Sequence, residues 1–323
     1  MNAMKFDVFF YEAFEEERQS LARLLDGRLY AGYSNETIQR SGHTAPPAAL
    51  ISIRTQSALP AAWIPGVRGL LARTTGSDHL EPLRLLNSAP ALACLPEYCS
   101  RAVAEQAALL WMALLRKLPR QLGQWSVFNR DDLTGGECLG RTLGVIGVGR
   151  IGREITQIGR GLGMNVLGVD PVRRHPDVNY VELSDAVAQA DILVASMNLT
   201  PENRGVFNYD CLRRARAGLL FINVARGELA VASDLARLLD EGTLGGLAMD
   251  VFDGETRVAD ALRSGAADPE AARLLALARR PNVLFTPHNA FNTSEALDRK
   301  SALSIEQAIS FAHTGQFKWP LPN

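Results

Sequence analysis

The run Thr142-Leu143-Gly144-Val145-Ile146-Gly147-Val148-Gly149-Arg150-Ile151-Gly152 limits what this chain can fold into more than any other segment. A bare GxGxxG is weak evidence, because glycines gather in many turns. Here an apolar stretch leads in, an amphipathic stretch from Glu154 to Leu162 leads out, and another apolar stretch ends in Asp170. Strand, tight loop, helix, strand, acid is the order a dinucleotide-binding βαβ unit requires. Gly147 would allow the tight turn, Gly149 a close backbone approach to a pyrophosphate, and Gly152 close packing of helix on strand. The first helical N–H groups, at Arg150 and Ile151, would face the anion together with the positive end of the helix dipole. Asp170 would accept hydrogen bonds from both adenosine ribose hydroxyls and repel a 2′-phosphate, which favours NAD. Arg173 and Arg174 close by leave NADP open. The alternative is a glycine-rich turn with an incidental surface acid.

Strand-like and helix-like stretches alternate along the whole chain, which favours α/β layers around a mostly parallel sheet. Short apolar runs at Phe6 to Phe10, Leu50 to Ile53, Gly69 to Ala72 and Ala91 to Leu95, with a helical stretch from Glu15 to Leu25, read as one small α/β unit. Ser100 to Leu118 has Ala102, Val103, Ala107, Leu110, Leu114 and Leu118 at three- and four-residue spacing, which predicts one long helix ending near Pro119. A second α/β unit follows a polar loop. Its strands are predicted at Leu143 to Gly147, Val166 to Asp170, Ile192 to Ala195, Leu219 to Val224, Gly246 to Val251 and Val283 to Phe285. Ser294 to His313 forms a last helix, able to pack back on the first unit.

Composition removes several function classes. The formal charge is −1 over 323 residues, only four of them Lys, and the arginines run no longer than pairs. Nucleic acid is therefore an unsuitable main partner. Cys94, Cys99, Cys138 and Cys211 show no metal-ligand spacing, so they read as reduced thiols with no metal site. No apolar stretch reaches the ~18–20 residues of a membrane span, and the start reads as a strand, not a signal peptide. The expectation is a cytoplasmic protein.

Three residues stand just past predicted strands, where an open α/β sheet places its ligands. Arg226 follows Asn223-Val224-Ala225, Glu255 follows Asp250-Val251-Phe252, and His288 follows Thr286-Pro287. Each alone has a bland reading as a surface or turn residue. Together with the glycine loop, these motifs resemble the D-isomer-specific 2-hydroxyacid dehydrogenase family, in order and spacing, from about Arg73 to the last helix. The resemblance implies two doubly wound α/β domains. A discontinuous, flavodoxin-like substrate domain would comprise residues 1–99 and 289–323, with an NAD-binding Rossmann domain, residues 100–288, inserted between them. It implies that Arg226 grips the substrate carboxylate as a planar fork of donors. His288 would exchange a proton with the carbonyl oxygen, and Glu255 would orient the imidazole through its far nitrogen. It further implies that Asp250 binds the nicotinamide carboxamide, that Val224 and Ala225 line the nicotinamide, and that Met197, Asn198 and Asn203 lie along the cofactor. The chain departs from the family where it reads Ser196-Met197-Asn198, where Gln106 follows Glu105, and where Thr256 follows Glu255.

The segment His288-Asn289-Ala290-Phe291-Asn292-Thr293 is similar to the D-lactate dehydrogenase subgroup, as is Pro96-Glu97-Tyr98. Phe291 and Tyr98 would border a small apolar pocket suited to pyruvate or a slightly larger 2-oxo acid, although buried aromatics are also common packing units. The backbone at Thr75 and Gly76 would hold the carboxylate. Arg54 matches a position that contacts substrate in some relatives, and would fit a second anionic group. Alternatives are a relative acting on phosphite or a phosphorylated hydroxy acid, and an NAD-sensing corepressor on the same scaffold. The family also implies a homodimer.

Overall fold

The computed structural model describes residues 5–86 and 88–321. Residues 1–4, Asn87 and residues 322–323, which the expected discontinuous domain takes in, lie outside the described residues. The chain divides into two compact units, Met1–Cys99 with Asn292–Asn323, and Ser100–Phe291. Both are α/β layers built on a parallel sheet.

In the first unit β1 (Phe6–Phe10), β2 (Ala31–Tyr33), β3 (Ala48–Ile53), β4 (Gly69–Ala72) and β5 (Ala91–Cys94) lie in the order β2-β1-β3-β4-β5. This is a doubly wound order that reverses between β1 and β3. Helices cover both faces of such a sheet, so its strands read as nearly continuous apolar runs. Val8, Phe10, Leu50, Ile51, Ile53, Leu70 and Leu71 are all buried. The helix Glu15–Leu25 begins with three acids, which suit the positive end of its dipole. Ser294–Thr314 starts at Thr293, whose hydroxyl accepts the Ala296 N–H. Ser20 Oγ on the first helix donates to Asp298 Oδ1 on the second at 2.7 Å.

This unit also buries charge. Arg73 donates from Nε to Glu17 Oε1 at 2.8 Å, from Nη1 to Ser52 Oγ at 3.0 Å, and from Nη2 to the Tyr11 carbonyl at 2.6 Å. Lys300 Nζ lies 2.9 Å from the same Glu17 oxygen, and all three charged side chains are fully buried. Burial alone would raise the Glu17 carboxyl, but Arg73, Lys300 and Arg54 more than offset it and hold it at about 2. Burial pushes the Lys300 ammonium down to about 7, against the pull of Glu17.

The second unit holds β6 (Thr142–Ile146), β7 (Asn165–Val169), β8 (Asn179–Tyr180), β9 (Ile192–Ala195), β10 (Leu219–Asn223), β11 (Leu244–Met249) and β12 (Val283–Phe285). Their order, β12-β11-β10-β9-β6-β7-β8, reverses at β6, as in dinucleotide-binding sheets. Asn289–Phe291 belong with this unit, where the Asn289 and Ala290 N–H groups are tied to Asp250, just beyond β11.

Two expectations change. The long helix ends at Leu115, and Pro119 sits in the first turn of a separate helix, Leu118–Gln124. Pro119 has no N–H to give the Leu115 carbonyl four positions back, which accepts the Gly136 N–H instead, and a proline is well placed in a first turn. Between the two helices Lys117 takes a left-handed φ of 53° and turns the chain. The strands β2 and β8, only three and two residues long, were not predicted, since such lengths carry no readable period.

Candidate active site

Parallel register aligns Val169, Ile146, Ala195, Asn223, Met249 and Phe285 in one line across the second sheet. Apart from Asn203, each candidate residue of the cofactor loop, the nicotinamide lining and the Arg/Glu/His set lies within six positions beyond that line. They therefore share the C-terminal edge of one sheet, where open α/β folds bind ligands.

The glycine loop shows why each glycine is there. Gly147 has φ 93°, and a Cβ on it would lie 2.5 Å from Met197 Cα. A Cβ on Gly152 would lie 1.9 Å from the Gly147 carbonyl oxygen. A Cβ on Gly149 would meet nothing within 4 Å, so protein packing does not require glycine at that position. Gly149 opens the helix Arg150–Gly161 with no side-chain cap. Open space at an uncapped helix N-terminus fits a pyrophosphate. Asp170 fastens the loop: Oδ2 accepts the Val148 N–H and Oδ1 the Val172 N–H, both at 2.8 Å. A second lone pair on each oxygen remains for ribose hydroxyls. Arg173 is paired with Glu182 at 3.3 Å. Met197 packs against Gly147, and Asn198 is exposed. Asn203 closes their loop by accepting the Thr200 N–H and donating to the Asn198 carbonyl, both at 2.8 Å.

Beyond β10, buried Asn223 braces the next turn. Its Oδ1 accepts the Ala225 N–H at 3.0 Å and its Nδ2 donates to the Arg226 carbonyl at 2.9 Å. Val224 and Ala225 are buried and Arg226 is half-buried. A Cβ on Gly227 would fall 1.9 Å from the Phe252 carbonyl carbon. Glycine there lets the Arg226 turn lie against the backbone that leads to Glu255.

Glu255 opens the helix Glu255–Ser264, and its two carboxylate oxygens lie 2.8 and 2.9 Å from His288 Nδ1. Both side chains are about three-quarters buried. His288 has a left-handed φ of 52°, a conformation that costs on the order of 1–3 kcal/mol outside glycine. Asp250 holds it there. Its Oδ1 accepts from the Thr286 hydroxyl and from the Asn289 N–H at 2.9 Å, and its Oδ2 accepts the Ala290 N–H at 2.9 Å. Burial pushes the Asp250 carboxyl up, and these hydrogen bonds and His288 pull it back. The bracing role of Asp250 was not foreseen; neither was that of Asn223. In each case the available signal was a polar side chain at the end of an apolar strand.

Arg54, Thr75, Gly76 and Tyr98 belong to the first unit, and Phe291 to the second. Arg54 donates its N–H to Glu12 Oε2 at 3.0 Å, and its guanidinium lies 5.7 Å from the Phe14 ring centre. Glu12 also accepts the Gln56 and Ser57 N–H groups, so it organises the loop after β3. Thr75 is exposed and Gly76 half-buried, in a turn closed by the Thr74 hydroxyl on the Gly76 carbonyl at 2.7 Å. Tyr98 and Phe291 are each 7 % exposed, as packing residues are. Burial raises the Tyr98 phenol. Among the described residues, no group of three or more His, Cys, Asp or Glu could hold a metal ion, and no helix is long and apolar enough to cross a membrane.

Residues 109–290 match the family described as D-isomer specific 2-hydroxyacid dehydrogenase, NAD binding domain. The chain is similar to the D-lactate dehydrogenase of Lactiplantibacillus plantarum, 31% identical over 78% of this chain and 77% of that one. It is also similar to 2-hydroxyacid dehydrogenase A of Aspergillus oryzae, 33% identical over 76% of this chain and 72% of that one. Its fold is similar to D-lactate dehydrogenase from Aquifex aeolicus, solved with NAD and lactic acid. The TM-score is 0.84 at 25% identity, covering 96% of this chain and 98% of that one. On these matches the chain belongs to the D-isomer-specific 2-hydroxyacid dehydrogenase family, the NAD-dependent oxidoreductases that act on a CH–OH group.

Proposed function

We propose that this dehydrogenase interconverts a small, pyruvate-like 2-oxo acid and its D-2-hydroxy acid, with His288 as the general acid and base. The observation that carries the reading is the carboxylate of Glu255 on His288 Nδ1. A carboxylate is an acceptor only, so it fixes the proton on Nδ1 and leaves Nε2 to serve the substrate oxygen. In reduction, the imidazolium gives its Nε2 proton to the developing alkoxide; in oxidation, neutral Nε2 takes it back. Arg226 would bind the carboxylate and polarise the adjacent 2-oxo group, with the Thr75 and Gly76 backbone as further carboxylate donors. Bound NADH supplies the hydride. Gly147, Gly149, Arg150, Ile151, Gly152 and Asp170 would hold its pyrophosphate and ribose. Met197, Asn198, Asn203, Val224, Ala225 and Asp250 would lie along the rest. Tyr98 and Phe291 would bound the substrate side chain. The second unit, residues 100–291, would then act as the cofactor domain, three residues longer than the expected 100–288, and residues 1–99 with 292–323 as the substrate domain.

One panel tests this. Protein is mixed with NADH or NADPH and a series of 2-oxo acids, and nicotinamide absorbance is followed. Turnover is expected with a short, uncharged side chain and NADH. A folded sample that binds NADH yet turns over none of the acids would sink the reading.

A second reading has its own support. Arg73 and Lys300 are fully buried on Glu17, but Arg54, just beyond β3, is only half-buried, and its guanidinium is the cation of this group that could meet a second anionic group on a substrate. A preference for 2-oxo dicarboxylates or phosphorylated hydroxy acids in the same panel would favour it.

Glu255→Gln is expected to lower kcat about 10²-fold, because a misplaced catalytic group costs on that order, while NADH affinity measured by fluorescence stays unchanged. Unaltered kcat would remove Glu255 from its positioning role. The homodimer also belongs to this proposal. Leu122, Trp125, Val127 and Phe128 are each 70–74% exposed within a short stretch of the second unit, an apolar surface that a second copy would cover. Sedimentation equilibrium should return twice the chain mass.

A further inference from the structure

The second unit has a cavity of about 700 Å³ at the opposite edge of its sheet, where the strands begin. Arg141 precedes β6, Asp191 precedes β9, Gly218 precedes β10 and Asn282 precedes β12, and all four line it. Five cations, Lys117, Arg120, Arg141, Arg216 and Arg280, face a single lining carboxylate, Asp191.

The neutralisation within the chain is partial. Asp191 lies 3.8 Å from Arg141 and also accepts the Thr142 N–H at 2.8 Å. Arg280 pairs at 2.7 Å with Asp240, which is outside the lining. Lys117 and Arg141 donate to the backbone carbonyls of Asp132 and Glu137, which carry no net charge. Among the described residues, no salt bridge engages Arg120 or Arg216. Like charges gathered in a concavity repel one another and focus a positive potential into it. The chain as a whole has a formal charge of −1, so this basin is a local concentration and not a basic protein showing through.

We propose that this cavity binds a compact polyanion, a small molecule with two or more phosphate or carboxylate groups. Guanidinium forks pair with both kinds of oxyanion in two-pronged fashion, and the volume falls within the range of small-molecule pockets. The five-residue strand β10 separates this edge from the Arg226 turn by roughly 17 Å. The ligand therefore occupies a site apart from the glycine loop and does not compete with NADH.

Calorimetric titration with inorganic pyrophosphate and with citrate, at ionic strength held constant with NaCl, tests the proposal on the full chain. Saturable binding at one site per chain is expected, unchanged by saturating NADH. It should weaken at least tenfold in Arg120→Gln/Arg216→Gln, whose turnover without added anion should match the parent. Both residues are exposed, so folding should survive, and the two single variants with circular dichroism provide the check. Several results would overturn the site: no binding of either anion, equal binding by the double variant, or displacement by NADH. A fall in sedimenting mass in the double variant would assign these cations to contact with a second copy and overturn it equally.

Discussion

Replacing His288 with asparagine is expected to lower kcat for 2-oxo acid reduction by about 10²–10⁴-fold, the usual contribution of a positioned acid–base group, while NADH affinity stays as it was. The choice of asparagine follows from the backbone. His288 sits at φ 52°, a conformation that asparagine tolerates better than most residues with a Cβ. His288→Ala should show the same loss of turnover with some added loss of stability. A difference between the two variants in thermal midpoint, without a difference in kcat, would separate the backbone effect from the chemical one. Nicotinamide fluorescence measures cofactor binding independently of turnover. Near-normal kcat in either variant would remove His288 from the proposed proton transfer.

Replacing Glu17 with alanine should cost about 3–5 kcal/mol, because it strands buried cations without their counter-ion. Arg73 and Lys300 converge on Glu17 Oε1 with no exposure of any of the three side chains. Lys300→Met should cost far less, since the Arg73–Glu17 pair survives and burial already disfavours the ammonium. Denaturant unfolding of the two variants beside the parent decides the matter. A Glu17→Ala loss below about 1 kcal/mol would contradict the assigned burden. The pH dependence has two windows. Glu17 is held at about 2 in the folded chain against an ordinary 4.5. Its contribution is thus complete above about 4.5 and fades as the pH falls towards 2. Lys300 is lowered from 10.5 to about 7. Between those values the unfolded chain holds a proton that the folded one has released, so this residue makes stability rise with pH there.

The contrast between these two groups of residues shows what a sequence makes legible. The glycine loop was readable because its logic is local: strand, turn, helix and acid are set by neighbours along the chain, from Thr142 to Asp170. Arg226, Glu255 and His288 were readable because each follows an apolar strand and ordered motifs surround them. Glu17, Arg73 and Lys300 were not. Glu17 sits in an acidic helix start that resembles a solvated face, and nothing near it announces a partner more than fifty or nearly three hundred positions away. Asp250 was legible as important, but not as the residue that pins the His288 loop, because its three donors come from beyond β12. The break at Lys117 was misplaced because a proline signals a change of path without saying whether a helix ends or begins there.

The first unit also has a consequence for biosynthesis. Its buried acid and guanidinium lie within residues 5–99, while the helix that delivers Lys300 starts only at Ser294, after the whole second unit has been made. At translation rates of roughly 5–20 residues per second, about 195 residues of delay amount to roughly 10–40 s. For that time the nascent amino-terminal sheet waits without its covering helix, and is open to premature pairing or to chaperone capture. The contiguous middle of the chain meets no such delay and can complete its fold first.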